Sequence, residues 1–232
     1  MLVFWDIDGT LLTTGRAGIF AWQEALADVA GVEADLWTFD TAGHPDFGIA
    51  ERLLREVAGV PSPEVQLIRR LVEGYEARLP AALGRRTGRV LPHVREVLES
   101  LARDRRARSM LLTGNTRLGG QAKLRHYGLD GILNDGGFSD GPADRSAIAE
   151  AALARARELG SGTPADRVFV VGDTPHDVRC AATIHARSIA VATGAYGTDA
   201  LAEAGAWKVF PELPPAPEFL ALLTGREVAA DA

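Results

Sequence analysis

The sequence predicts an α/β fold, a parallel sheet whose first strand is followed by an inserted helical unit, and three observations lead there. The chain opens on an apolar run, Met1-Leu2-Val3-Phe4-Trp5, that does not alternate and so reads as a strand buried on both faces. From residue 14 to about 88 the apolar residues recur at helical spacings and no strand interrupts them. Beyond residue 88, short apolar runs alternate with helical patterns, as strand–helix–strand units on a parallel sheet require. The expected architecture is a Rossmann-like core made of residues 1–13 and 89–232, with residues 14–88 as a helical cap domain. The cap would stand at the carboxyl end of the first strand, where open α/β sheets bind ligands.

Each element follows from its pattern. In the inserted unit, Ile19, Trp22, Leu26 and Val29 share one helix face, as do Leu67, Leu71 and Tyr75. Breakers at Gly43-His44-Pro45, Pro61-Ser62-Pro63 and Gly84 divide it into several short helices. In the core, Val94, Val97, Leu98 and Leu101 predict a helix over about 93–105, and Met110-Leu111-Leu112 a strand after it. A helix over 117–127, a strand near Ile132-Leu133 and a helix over 145–159 come next. Val168-Phe169-Val170-Val171 then predicts a strand, residues 176–185 a helix and Ile189-Ala190-Val191-Ala192 a last strand. Residues 211–217 read as a proline-rich turn region, and the tail after about Arg226 as frayed.

Composition excludes several classes. The 232 residues are 47% hydrophobic with a formal charge of −6, which gives no support for nucleic-acid binding. Lys123 and Lys208 are the only lysines, so arginine carries nearly all the positive charge. The lone Cys180 cannot form an intrachain disulfide and is expected to serve packing. No apolar run reaches the roughly 18 residues of a membrane span. Residues 1–12 carry Asp6 and Asp8 without a basic start, unlike a signal peptide. A cytoplasmic protein without nucleic-acid or membrane partners is expected; the oligomeric state is not legible.

Four stretches end buried strands with polar residues: Asp6-Ile7-Asp8-Gly9-Thr10, Thr113-Gly114-Asn115, the 134–145 loop, and Gly172-Asp173-Thr174-Pro175-His176-Asp177. Parallel strands put all four on one edge of the sheet, so Asp6, Asp8, Asp173 and Asp177 can converge. Carboxylates crowded in this way repel unless a cation sits among them. Without a cysteine or histidine pattern, an oxygen-ligated Mg²⁺ suits them best. The five histidines show no metal-ligand spacing, and the arginines at 103, 105, 106 and 108 read as a solvated helix end.

The order of these motifs resembles the haloacid-dehalogenase-like superfamily, over nearly the whole chain and including the inserted cap. The resemblance implies roles. Asp6 would be the nucleophile that becomes an aspartyl-phosphate, and Asp8 the acid and then the base. Thr113, Gly114 and Asn115 would bind phosphoryl oxygens. Asp173 would hold Mg²⁺ with Asp6 and the Asp8 carbonyl, and Asp177 would orient a metal-bound water. The family also places a basic residue, usually a lysine, in the loop after the third strand. Here that loop reads "FSDGPADRSAI" and has none. Arg145, at the start of the next helix, is the expected substitute. Lys123, ten residues after Thr113, is the other candidate, less favoured because it falls more than a turn from the strand ends, where a solvated helix face is expected.

Within the superfamily, Asp8 argues for phosphoryl transfer rather than dehalogenation. The absence of lysine from residues 14–88 argues against Schiff-base phosphonate chemistry. The chain looks like the phosphoglycolate-phosphatase-like group. The expectation is a Mg²⁺-dependent phosphatase acting on a small phosphorylated metabolite, a phosphoglycolate-like ester among the options. A sugar-phosphate mutase and a non-catalytic binding module are the alternatives.

Overall fold

A computed structural model describes residues 1–225 of the chain. Strand β1 (Leu2–Trp5) is buried at every position. Past the polar turn that ends it, Leu12–Thr13 (β2) leads into α1 (Gly18–Ala30), α2 (Asp46–Arg52) and α3 (Val65–Leu83), with a π-helical turn at Leu53–Val57. The chain returns through β3 (Arg89–Val90), which pairs antiparallel with β2. The core then runs α4 (Val94–Arg103), β4 (Arg108–Leu112), α5 (Arg117–His126), β5 (Gly136–Gly137), α6 (Arg145–Glu158), β6 (Val168–Gly172), α7 (Pro175–Thr183), β7 (Arg187–Val191), α8 (Thr198–Glu203), β8 (Lys208–Phe210) and α9 (Ala216–Thr224).

Six strands form one parallel sheet in the order β5-β4-β1-β6-β7-β8. β1 is its hinge of topology. The chain steps from it outward to β4 and β5 on one side, then crosses to β6, β7 and β8 on the other. Register puts Trp5 beside Leu111 on one flank and Val171 on the other, so the three strands end together. Asp6, Thr113 and Asp173 thereby share the carboxyl edge, at the crevice where doubly wound sheets bind ligands.

The strand period of two decides which residues face which layer. Val3 and Trp5 point into a core completed by α4 and α9, where Trp5 packs on Phe219 at 5.5 Å between ring centroids. Leu2 and Phe4 point the other way, onto the alanines of α6 and the apolar side of α7. The helices of residues 17–83 carry their own apolar core, in which Trp22 and Tyr75 stack 4.0 Å apart. α3 also lies against α5 of the sheet unit. No helix among the described residues is long and apolar enough to cross a membrane.

The element expectations need correction in four places. Residues 132–133 form no strand, and the strand expected there is Gly136–Gly137 instead. Glycines carry no strand propensity, but a Cβ at Gly137 would lie 2.7 Å from Ala152 Cβ on α6, and one at Gly136 would lie 2.1 Å from the Leu111 carbonyl oxygen, so close approach demands both. The pairing of β2 with β3 was not expected. β8 adds a sixth strand. The proline-rich region ends in α9, whose first turn starts just after Pro215. The tail after Arg226 lies outside the described residues.

Candidate active site

The motif Asp6-Ile7-Asp8 leaves β1 still extended, so Ile7 turns inward, fully buried, while the acids on either side face the crevice. Asp6 is 6% exposed. Asp8 keeps 44% of its side chain accessible. The chain then reverses at Gly9, whose φ of +78° suits glycine. A Cβ there would meet Asp173 Oδ2 at 2.3 Å, and a Cβ on Gly194 would come within 1.7 Å of the same oxygen. Two glycines from different strand ends therefore make the cradle of Asp173. Thr10 Oγ1 donates to its other oxygen at 3.1 Å.

Asp177 is placed by its helix start. Thr174 and Asp177 form a reciprocal capping box around Pro175, in which Thr174 N and Oγ1 both donate to Asp177 Oδ2, at 3.1 and 2.7 Å. Its Oδ1 accepts from Arg145. Arg145, at the first position of α6, is 9% exposed and also faces Asp6, Nη1 to Oδ1, at 3.8 Å.

Thr113, Gly114 and Asn115 form the turn into α5. Asn115 donates from Nδ2 to Asp8 at 2.9 Å and to Thr113 Oγ1 at 2.8 Å. Thr116 caps the helix, accepting from Gly119 N–H. Lys123 overturns the expectation of a solvated helix face. It is 6% exposed, and its Nζ donates to Asp8 Oδ2 at 2.5 Å and to Asn115 Oδ1 at 2.6 Å. Helical side chains lean toward the N-terminus, so a long side chain two turns along still reaches back to the strand edge. Gly119, Gly120, Lys123 and Leu124 make one buried stripe on α5, and that spacing was the signal available in the sequence. Both cations therefore reach the site, from opposite sides.

The charge balance explains what this cluster can hold. Burial pushes Asp6 up to about 7, and the charge of Asp177 adds to it against Arg145. Asp173 is likewise raised, by burial and then by Asp6 and Asp177. Burial opposes the charge of Lys123, but Asp8, Tyr75 and Asp46 hold its pKa above the ordinary lysine value. Ligand atoms of Asp6, Asp173 and Asp177 lie within 4.8 Å of one another. An all-oxygen, buried, mutually repelling donor set in a glycine cradle fits a hard divalent cation.

One residue of the site was missed in the sequence. Asp46, at the start of α2, is 4% exposed. Its N–H donates to Gly114 carbonyl at 2.8 Å and its Oδ2 accepts from Thr116 N–H at 2.7 Å. It ties the helical unit to the turn that leads into α5. Burial pushes its carboxyl up to about 7. A cavity of about 460 Å³ opens between the two units, from Asp6, Asp8 and Asp173 to residues of α1, α2 and α3.

A doubly wound sheet, an acid pair leaving its central strand, a second acid pair one strand away and a covering helical unit define a carboxylate-centred α/β hydrolase. The sequence profile of the haloacid dehalogenase-like hydrolases matches residues 3–182, and the chain belongs to that family. Among solved structures, a hydrolase from Pseudomonas syringae is 25% identical, with TM-score 0.68 and 97% of both chains covered. A predicted phosphoglycolate phosphatase from Haemophilus somnus is 16% identical, with TM-score 0.69 and 96% of each chain covered. CbbY from Rhodobacter sphaeroides, in complex with phosphate, is 20% identical with TM-score 0.67, over 91% of this chain and 93% of that one. The last two likenesses are of fold. No curated protein matches the chain by sequence.

Proposed function

We propose that the protein is a phosphatase that hydrolyses a small phosphate monoester through an aspartyl-phosphate on Asp6. The observation that carries this reading is the convergence of Asp6, Asp8, Asp173 and Asp177 with Lys123 and Arg145 at one strand edge. Asp6, Asp173 and the main-chain carbonyl of Asp8 would hold Mg²⁺, with Asp177 behind them. Bound there, the ion supplies charge neutralisation for the phosphoryl oxygens. The turn amides of Gly114 and Asn115 and the cations Lys123 and Arg145 bind the same oxygens and orient the ester.

A carboxylate oxygen of Asp6 forms the new bond to phosphorus as the bond to the leaving oxygen breaks. Asp8 donates its proton to that oxygen and the alcohol departs. Asp8, now a base, takes a proton from water, whose oxygen bonds to phosphorus as the Asp6–phosphorus bond breaks. Inorganic phosphate is released and both acids are restored. Asp8 suits the double duty because it is the acid of the set that stays half exposed, open to solvent. Residues 14–88 act as the cap, closing over the cavity and excluding water from the first step.

The test is phosphate release from a panel of small monoesters by metal-stripped protein, with and without added Mg²⁺. Activity that appears with Mg²⁺ and vanishes in chelator, together with an acid-stable phosphoprotein absent from Asp6→Asn, is the expected result. Undiminished turnover in excess chelator would contradict the metal assignment, and no turnover of any ester the phosphatase reading.

A further inference from the structure

The edge of the sheet opposite the acids carries a second cavity, of about 720 Å³. Arg108 opens β4 and Arg167 precedes β6, whereas Thr113 and Asp173 follow the other ends of those strands. Arg108 and Thr113 are about 17 Å apart, at roughly 3.3 Å per residue of extended chain, so this cavity is remote from the crevice. Arg105, Arg106, Arg108 and Arg167 line it and no acidic residue does, although acids outnumber lysines and arginines by 31 to 25 in the chain. The arginines of residues 103–108 do not all behave as a solvated helix end. Arg103 leans back on Glu99 of its own helix at 3.3 Å, outside the cavity. Arg106 is held by Asp104, from Nε at 2.9 Å and Nη2 at 2.8 Å. Arg108 donates from Nη2 to the Leu159 carbonyl at 3.2 Å, which aims it without cancelling its charge. Arg105 and Arg167 make no ion pair among the described residues. Asp166, next to Arg167 in the chain, is exposed and does not line the cavity. The far wall is the turn from α6 to β6, where Gly160 reverses the chain at φ +83°. The hydroxyls of Ser161 and Thr163 bond each other at 2.9 Å, which leaves one hydroxyl proton free for a ligand.

We propose that this cavity binds a compact polyanion, a chain of two or three phosphates, free or carried by a nucleotide. The proposal stands apart from the phosphatase reading and does not depend on it. Guanidinium forks match phosphate oxygens two at a time, and such charge-assisted bonds are the strong ones. Arg105, Arg108 and Arg167 keep their charge uncancelled by any carboxylate. Together they exceed what one phosphate dianion needs and balance a di- or triphosphate. The arginines of residues 105–108 lie on one side of the cavity, and Arg167 with the 160–164 turn on the other, so a chain of phosphates can reach both. Arg105, Arg106 and Arg108 are exposed, so water and salt screen their mutual repulsion and the cluster persists without its ligand.

The experiment is calorimetric titration of the full chain in chelator at low salt, with inorganic triphosphate, ATP and inorganic phosphate as probes. Chelator keeps divalent cations from masking the charge of the probes. Triphosphate should bind at least about tenfold tighter than inorganic phosphate, because it engages at least one more guanidinium. Arg105→Gln and Arg167→Gln should each weaken triphosphate binding about tenfold, the effect of losing one charge-assisted bond. Arg187→Gln changes an exposed arginine that opens β7 on the same edge but outside the cavity, and should leave the affinity unchanged. Circular dichroism checks that each variant is folded. ATP binding as tightly as triphosphate assigns the site to the phosphate chain alone, and tighter binding assigns it to a nucleotide; both bear the proposal out. Triphosphate binding no tighter than phosphate overturns it. So does an affinity that neither cavity variant changes, which would put the anion in the catalytic crevice or elsewhere. An equal loss in Arg187→Gln also overturns it, because only a diffuse positive edge would then remain.

Discussion

Lys123 and Arg145 approach one cluster of acids from opposite sides, and their surroundings differ. Arg145 is held entirely within the sheet unit, by Asp177 and Asp6, whose side chains are 3% and 9% exposed. Lys123 lies where the two units meet. It bonds Asp8 and Asn115 of the sheet unit, and its charge acts on Tyr75 and Asp46 of the helical one. The difference teaches a division of labour. Arg145 offsets the repulsion of the acid cluster without any contact from the helical unit to Asp6 or Asp177 being needed. Lys123 links Asp8 to the face that the helical unit covers, through Tyr75 and Asp46.

Both cations serve a common reaction centre, so the largest effect comes from removing it. Asp6→Asn should lower kcat by several orders of magnitude while the melting temperature holds, since an amide cannot attack phosphorus. Retention of a tenth of wild-type activity would remove the centre around which the two cations are compared.

The cations themselves should then separate. Arg145→Met strands Asp6 and Asp177 in a buried site, an uncompensated charge that costs about 3–5 kcal/mol of stability, read by denaturant unfolding. Lys123→Met should destabilise far less, because its partner Asp8 is half exposed and takes up water. It should instead lower kcat about 10²–10³-fold, as loss of a preorganised donor does. Equal unfolding free energies for the two variants would break the comparison.

Finer effects follow at the cap. Tyr75→Phe removes a hydroxyl that senses Lys123 and touches nothing of Arg145. A change of a few-fold in kcat, with a shifted pH profile and an unchanged fold, is expected; an unshifted profile would detach Lys123 from the cap. Asp46 bears on stability rather than turnover. Its carboxyl moves from 3.8 to about 7 on folding, so the folded chain binds this proton more tightly than the unfolded one. The stability it contributes is whole below about pH 4 and is lost as pH rises through about 7. Asp46→Asn should flatten the stability–pH curve across that window, and an unaltered slope would speak against the buried titration.

Much of the sheet was legible in the sequence because its strands are continuous apolar runs that end in acids. Asp6, Asp8, Asp173 and Asp177 could be placed on one edge from parallel topology alone. What escaped reading was decided by contacts between distant segments. Gly136 and Gly137 pair as a strand where the Leu111 backbone crowds the first and α6 the second, which no propensity records. Lys123 reaches the site through the backward lean of a helical side chain, and distance along the helix axis gave the wrong answer. Asp46 looks like an ordinary helix start until Gly114 and Thr116 are beside it.

The pairing of β2 with β3 has a further consequence. Leu12 lies against Val90 and Thr13 against Arg89, so the chain leaves the sheet unit and comes back at nearly the same point. The sheet itself therefore depends little on what lies between those residues, whose contacts with it run through Asp46 at the turn into α5 and through α3 against α5. Closing such an excursion costs chain entropy that grows only with the logarithm of its length. The stem acts as a socket, into which a longer, shorter or differently lined helical module could be grafted provided it restores the Asp46 contacts with Gly114 and Thr116. Chimeras joined at residues 13 and 89 would be a direct route to new substrate ranges on this scaffold.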